Sequence, residues 1–351
     1  MKFLILLLFM IYNALGKLVT GQYAIINKPI VDCHGSAKFL NPEITASPLQ
    51  GPCERLHQLK FNEIVKIKDL KNNHALVECP SFFFTSMHGD SENSVWILKD
   101  HLFALNELNK KTLSCLPQAP HIAEFSMPKN ISTRKVVSLT KPYSKFSVGT
   151  RFVVIAEDEQ NYTIEYLISR QNSKKVVIRK DCFTLNGDTA REKFVCQLKY
   201  LAHRNPKIEY VWGGNSCLEY IKNSHNKNNP LNGYDCSGLI LSTAQLSGIN
   251  YFYKNSLTAS SYLEQVLDFK KIQAGDIIWM PGHVIIISDA KKNLCIEANG
   301  YYQAVHELKL NKIFLNIDNF EKLLKQKSLL RIMPDGSLNK ISKFKILKLP
   351  E

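Results

Sequence analysis

The sequence predicts an α+β fold in which a cysteine-bearing helix packs on an antiparallel sheet, with two small all-β units ahead of it. Three observations carry this. Asp235-Cys236-Ser237-Gly238 opens an apolar run through Leu239, Ile240, Leu241, Ala244 and Leu246 at helical spacing, and Gly282-His283-Val284 opens a run of β-branched residues. Ahead of both, residues 22–187 alternate apolar and polar residues in short stretches separated by turn residues. The 351 residues give room for two or three compact units, more than one catalytic unit fills.

Residues 1–21 read as a signal peptide. Lys2 supplies the basic start, an apolar run covers residues 3–11, and small residues stand near Gly16 and Gly21, with cleavage after either open. The apolar run is too short to span a bilayer, and no other stretch is long and apolar enough. Export to the periplasm or beyond the cell is therefore expected. Nine cysteines suit an oxidising compartment, and their odd number leaves at least one thiol free if the others pair internally. Cys236 is the candidate for that thiol; Cys33 and Cys53, or Cys182 and Cys196, are open to pairing, packing or neither.

Residues 22–108 carry the first β unit, with strands expected around Ile64-Val65-Lys66-Ile67, Ala75-Leu76-Val77 and Val95-Trp96-Ile97, in the rhythm of a small barrel. Residues 109–129 hold Pro117, Pro120 and Pro128 and read as a linker. Residues 130–187 repeat the size and rhythm of the first unit, with strands around Phe152-Val153-Val154, Thr163-Ile164-Glu165 and Val176-Val177-Ile178, which suggests a duplicated barrel. From residue 188 to 335 the pattern turns to helix at 191–201, 236–248 and 262–266, then to strands at 275–279, 283–288 and 294–298. Residues 336–351 read as a basic tail.

The residue types in that third unit suit amide hydrolysis. A thiol at a helix start lies at the positive end of the helix dipole, with Asp235 and Ser237 able to cap the helix, so Cys236 is the candidate nucleophile and His283 its base. The Cys236 amide is an unsatisfied helix-start donor suited to a developing oxyanion. No metal or other cofactor is expected: Cys236 and His283 have no third and fourth partner in ligand spacing. Lys and Arg number 45 against 31 Asp and Glu, a net charge of +14, which favours an anionic neighbour. Without interleaved aromatic and basic residues or zinc-finger spacing, nucleic acid is not the expected partner; an acidic cell wall or membrane surface is. The oligomeric state is not legible.

Taken together, Tyr210-Val211-Trp212-Gly213-Gly214, Asp235-Cys236-Ser237-Gly238, Gly275-Asp276 and Gly282-His283-Val284 make residues 200–335 resemble the NlpC-type cell-wall cysteine peptidases, a papain-like family. The two upstream units resemble, more weakly, the bacterial SH3-like barrels often attached to it. The resemblance places the polar residue that orients the histidine on the strand after it, where this chain has Ile296-Glu297-Ala298; Glu297 stands where histidine is more usual, and Asn299, two residues on, is the runner-up. His306 reads as a surface or strand residue. Tyr210 and Trp212 are expected to wall the substrate cleft.

The resemblance further implies hydrolysis of peptidoglycan stem peptides at the bond between γ-D-glutamate and the diamino acid. Asp235 and Ser237 match positions that contact the free amine of an L-Ala-D-Glu end, and Asp235 is equally suited to cap its helix. Trp96 and Glu78 are candidates for completing that pocket from the first unit. Two other functions are compatible with the residues: a wall-binding protein whose third unit has lost or altered its chemistry, which the departure at Glu297 leaves open, and a papain-like acyltransferase, which the order Cys236 before His283 disfavours.

Overall fold

The computed structural model describes residues 18–37, 55–85, 90–118, 122, 134–143, 145–219 and 232–351. Most of the expected signal segment, Cys53, and Pro120 and Pro128 of the expected linker lie outside them. No helix among the described residues is long and apolar enough to cross a membrane.

The amino-terminal region is built of antiparallel sheets. Its first strands are β1 (Tyr23–Ile26), β2 (Ile30–His34), β3 (Arg55–Lys60), β4 (Ile64–Lys71), β5 (His74–Glu78), β6 (Phe84–Thr85), β7 (Ser91–Glu92), β8 (Ser94–Leu98) and β9 (Leu102–Ala104). Strands β6 and β7 pair with each other; the rest form a seven-stranded sheet in the order β3-β2-β8-β5-β4-β1-β9. Period-two alternation sets the buried face: Ala75 and Val77 of β5 and Val95 and Ile97 of β8 are fully buried, with half-buried residues between them. Asn72, at a positive φ of 49°, turns β4 into β5. Four further strands, β10 (Val136–Ser138), β11 (Arg151–Glu157), β12 (Asn161–Leu167) and β13 (Ser173–Arg179), pair in chain order.

Neither sheet closes among the described residues, so the expected pair of SH3-like barrels is corrected to open sheets of seven and four strands. Alternation dictates which face of a strand is buried, but closure depends on strand tilt and stagger, which alternation does not encode. The unequal strand numbers also remove the expected duplication.

In the third unit, the helix Ala190–Ala202 begins in a reciprocal capping box. Thr189 Oγ1 accepts from the Glu192 amide at 3.1 Å, and the Glu192 carboxylate accepts from the Thr189 amide at 3.0 Å. The helix Cys236–Leu246 is buried from Cys236 through Ala244, as its nearly continuous apolar sequence requires. Beside it lies a five-stranded antiparallel sheet, in the order β17-β16-β15-β14-β20, made of β14 (Ile277–Met280), β15 (His283–Asp289), β16 (Leu294–Asn299), β17 (Ala304–Lys309) and β20 (Lys345–Leu347); β18 (Leu329–Ile332) and β19 (Leu338–Ile341) form a separate hairpin.

Two expectations are corrected here. Residues 336–351 are no tail: they hold β19 and β20, β20 pairs with β14, and Ile346, Leu347 and Leu349 are fully buried. The lysines at 343, 345 and 348 drew attention from the apolar residues between them. The expected helix at 262–266 lies earlier, at Ser256–Tyr262, started by Asn255 accepting from the Thr258 amide at 2.7 Å; Val266 instead donates its amide to Ile346 O at 2.8 Å.

The amino-terminal sheet and the third unit share one apolar core, in which Val65 and Val77 cluster with Leu239 and Ile240 of the cysteine helix and Ile286 and Ile296 of the sheet. Polar contacts cross the same boundary. Lys60 Nζ donates to Ser242 Oγ at 2.9 Å, and Phe83 and Lys254 are tied by backbone bonds, Phe83 N to Phe252 O and Lys254 N to Phe83 O, each 2.9 Å.

Candidate active site

Cys236 is the first residue of its helix, so its amide has no intrahelical acceptor and its sulfur lies at the positive helix end. Across the gap stands His283, the first residue of β15, whose turn from β14 is made by Gly282 at φ +77°. The His283 ring hydrogen-bonds the Cys236 sulfur and, through Nε2, the Glu297 carboxylate Oε2 at 2.8 Å, which leaves Nδ1 for the sulfur. Thiol, imidazole and carboxylate thus form a line.

Glu297 is fully buried and is not a simple third member. Its Oε1 accepts from His306 Nε2 at 3.2 Å, and its Oε2 accepts from Arg331 Nη2 at 2.7 Å as well as from His283. Burial alone raises a carboxyl pKa; here His283, His306 and Arg331 together outweigh it and hold Glu297 well below the usual carboxylate range. For His283 burial pulls the pKa down, yet the Cys236 sulfur and Glu297 overcome it and lift the imidazole to about 9. At neutral pH His283 is therefore an imidazolium.

The glycines of the Tyr210-to-Gly214 motif serve close approach. At Gly213, φ +69°, a Cβ would lie 2.5 Å from Arg55 O, and at Gly214 one would lie 2.6 Å from Gly233 O. Arg55, at the edge strand β3, donates from Nη1 to Trp212 O at 2.9 Å and pairs through Nε with Asp32 Oδ1 at 2.9 Å, and Gln58 Oε1 accepts from Asn215 N at 3.0 Å and Ser216 Oγ at 2.8 Å. The amino-terminal sheet thereby fixes the backbone that walls the site. Tyr210 and Trp212 line a cleft of about 840 Å³ together with His283, Asn299, Tyr301 and the hairpin residue Arg331.

Other expected residues have different surroundings. Asp235 caps its helix by accepting from Gly238 N, and the same Oδ1 accepts from Ser237 Oγ at 3.0 Å, while Oδ2 pairs with Lys254 Nζ at 2.8 Å. Of the two roles open to Asp235 in the sequence, its carboxylate fills the helix cap and also engages Lys254 and Ser237. Asn299 Oδ1 accepts from Tyr301 N at 2.8 Å and stabilises the turn after β16; Glu297, not Asn299, meets His283. Trp96 and Glu78 lie on β8 and β5 and do not line the cleft. His306 is a strand residue as read, but buried against Glu297, which it faces directly across β16 and β17. Lys254, Arg331 and Arg55 were not anticipated. All eight described cysteines are free thiols, Cys33, Cys182 and Cys196 among them. No group of three or more His, Cys, Asp or Glu among the described residues is placed to hold a metal ion.

A family comparison meets this geometry at the same residues. Residues 207–319 match the model of the NlpC/P60 family. Members of that family are generally cell-wall peptidases. Among solved structures, an NlpC/P60 family protein from Bacillus cereus ATCC 10987 is 16% identical with a TM-score of 0.57, covering 82% of this chain and 94% of its own. NlpC2 from Trichomonas vaginalis is 14% identical over 93% of this chain and 100% of its own, with a TM-score of 0.35; NlpC1 from the same organism is 16% identical over 95% and 96%, with a TM-score of 0.32. No curated protein matches the chain. The Bacillus likeness bears on the fold alone. The NlpC/P60 match ends before β18, β19 and β20, so the strand completing the sheet and the hairpin carrying Arg331 lie outside it.

Proposed function

We propose that the protein is an exported cysteine peptidase that hydrolyses peptidoglycan stem peptides, cutting the bond between γ-D-glutamate and the diamino acid. The observation that carries this is the line Cys236, His283, Glu297 inside the segment that matches the NlpC/P60 family, with His283 lining a cleft. The Cys236 thiolate attacks the scissile carbonyl carbon, and the resulting oxyanion is met by the helix-start amide. The His283 imidazolium then gives its proton to the leaving amine as the C–N bond breaks, leaving a thioester. Neutral His283 next takes a proton from water, whose oxygen displaces the thiolate and frees the carboxylate product. Glu297 stabilises the imidazolium throughout. In this reading the amino-terminal sheets shape the cleft through Arg55 and Gln58, and the positive charge of the chain favours an anionic wall.

The test is incubation of the mature full chain with L-Ala-γ-D-Glu-diamino acid tripeptide and with a muropeptide digest, the products being identified by mass spectrometry. A free diamino acid appearing with the parent and absent with Cys236→Ala is the expected result. If the parent releases nothing from either substrate, the proposal fails.

A further inference from the structure

The C-terminal hairpin of β18 and β19 reaches the catalytic line through one side chain. Arg331 is buried, 7% exposed, and places Nη2 2.7 Å from Glu297 Oε2, the oxygen that also accepts from His283 at 2.8 Å; its Nη1 lies 3.6 Å from Met280 Sδ on β14. One carboxylate oxygen therefore answers to two donors, a permanent cation and the imidazole that must carry and release a proton. Asn339 lies directly across the hairpin from Arg331, and both line the cleft.

We infer that Arg331 is a positioning residue that holds Glu297 in place and balances its charge, so that the His283 imidazolium remains acidic enough to protonate the leaving group. This rests on the peptidase reading given above. The physical case is one of competition. A buried carboxylate with no cation except the imidazolium would bind that proton tightly and make His283 a reluctant acid. A guanidinium on the shared oxygen draws off part of that charge and, through a second-sphere bond, fixes the carboxylate's orientation. The other groups facing this cluster are Cys236 from the helix, Cys295 on β16, and His306 and Glu307 on β17. Glu307 is itself engaged by Ser288 Oγ at 2.5 Å and His203 Nε2 at 3.0 Å, and His306 takes the other oxygen of Glu297, which leaves Arg331 as the fixed positive charge on the oxygen that His283 uses.

Arg331→Gln removes the charge and keeps a donor, and Arg331→Lys keeps the charge. Arg331→Gln is expected to lower kcat about tenfold or more with KM within about twofold, and to move the alkaline limb of the kcat profile upward by about half a unit or more. Arg331→Lys is expected to keep the parent's limb with an intermediate kcat. The His283 ring, titrated by NMR in the parent and both variants, should show the same order without any turnover. That titration separates the two ideas: a parent that hydrolyses nothing defeats the peptidase reading, while the ring shift still reports on Arg331. A His283 titration identical in all three proteins overturns the inference, as does an Arg331→Gln enzyme with the parent's kcat and limb. Should Arg331→Gln fail to fold, a kcat of Arg331→Lys equal to the parent's with KM raised instead would also overturn it.

Discussion

Two buried carboxylates flank Cys236, and the same chemistry does different work in each. Asp235 precedes Cys236 and is answered by Lys254, Ser237 and the Gly238 amide. Glu297 lies beyond His283 and is answered by Arg331 and two imidazoles, one of which touches the reacting sulfur. The first cluster sets where the helix begins, and with it where the sulfur stands. The second sets the charge of the group that shuttles the proton. In the peptidase reading a carboxylate acquires a catalytic role by having a partner whose protonation changes during turnover, and of these two only Glu297 has one.

The sharpest way to break this contrast is to remove the reacting pair itself. Cys236→Ala should lose about four orders of magnitude or more in kcat/KM, and His283→Ala a comparable amount, because nucleophile and base act as a unit. The double variant should be no worse than the poorer single one. Thermal melts should place Cys236→Ala within a few degrees of the parent, since the change trims a single sulfur atom. A double variant far below both singles would mean that the residues act independently.

Next in size is Glu297→Gln, which keeps hydrogen-bond reach and removes the charge. Activity should fall about a hundredfold, and the alkaline limb of kcat/KM, expected near pH 9 in the parent, should move down. The sign follows from the shift: Glu297 raises the His283 pKa, so neutralising it lets the imidazolium lose its proton at lower pH. Glu297→Ala should be worse in stability as well, by about 3 to 5 kcal/mol, because it strands a buried guanidinium. A pH profile unchanged in Glu297→Gln would remove Glu297 from the proton's path.

How much of this contrast the sequence discloses depends on how local each signal is. The cysteine helix and strands β14 to β16 are legible because their caps, turns and apolar periods lie within a few residues of one another, whereas Glu297 is legible only through the family resemblance, which places the orienting polar residue on the strand after the histidine. His306 is a near miss: the register that puts it opposite Glu297 depends on the turn at residues 300–303, whose length fixes the pairing. Arg331 leaves no such trace, being 34 residues from Glu297 and on a different hairpin. Lys254 is equally silent, an isolated lysine among tyrosines whose ammonium finds Asp235 only in the folded chain. Barrel closure failed for the same reason, since it is a property of the whole sheet.

A smaller effect should separate the clusters by stability without touching the proton. Asp235→Ala removes a helix cap, worth about 1 kcal/mol, and leaves Lys254 buried without its partner, worth about 3 to 5 kcal/mol. Lys254→Met in the same chain should recover most of the second part, because it removes the stranded charge. Urea unfolding of the single and double variants measures this. Equal losses in Asp235→Ala and in the double variant would mean that the Lys254 ammonium reaches water and that the pair is not a buried one.

The smallest expected effect is the most discriminating for substrate choice. The parent should cleave L-Ala-γ-D-Glu-diamino acid and its amino-acetylated form at rates within about threefold, because Asp235 already accepts from Lys254, Ser237 and Gly238, and the Lys254 ammonium on Oδ2 repels a substrate ammonium approaching the same oxygen. An ammonium forced into that site would set two cations on one carboxylate in a place poorly reached by water, which is unfavourable. Lys254→Met should reverse the situation: with Oδ2 released, the free-amine peptide should become the better substrate by about tenfold, the gain expected of one charge-assisted hydrogen bond. Rates are compared as kcat/KM at one ionic strength, since salt weakens such contacts. A parent that strongly prefers the free amine would show that Lys254 swings away when substrate arrives, and would turn the Asp235 cluster from a fixed anchor into part of the binding site.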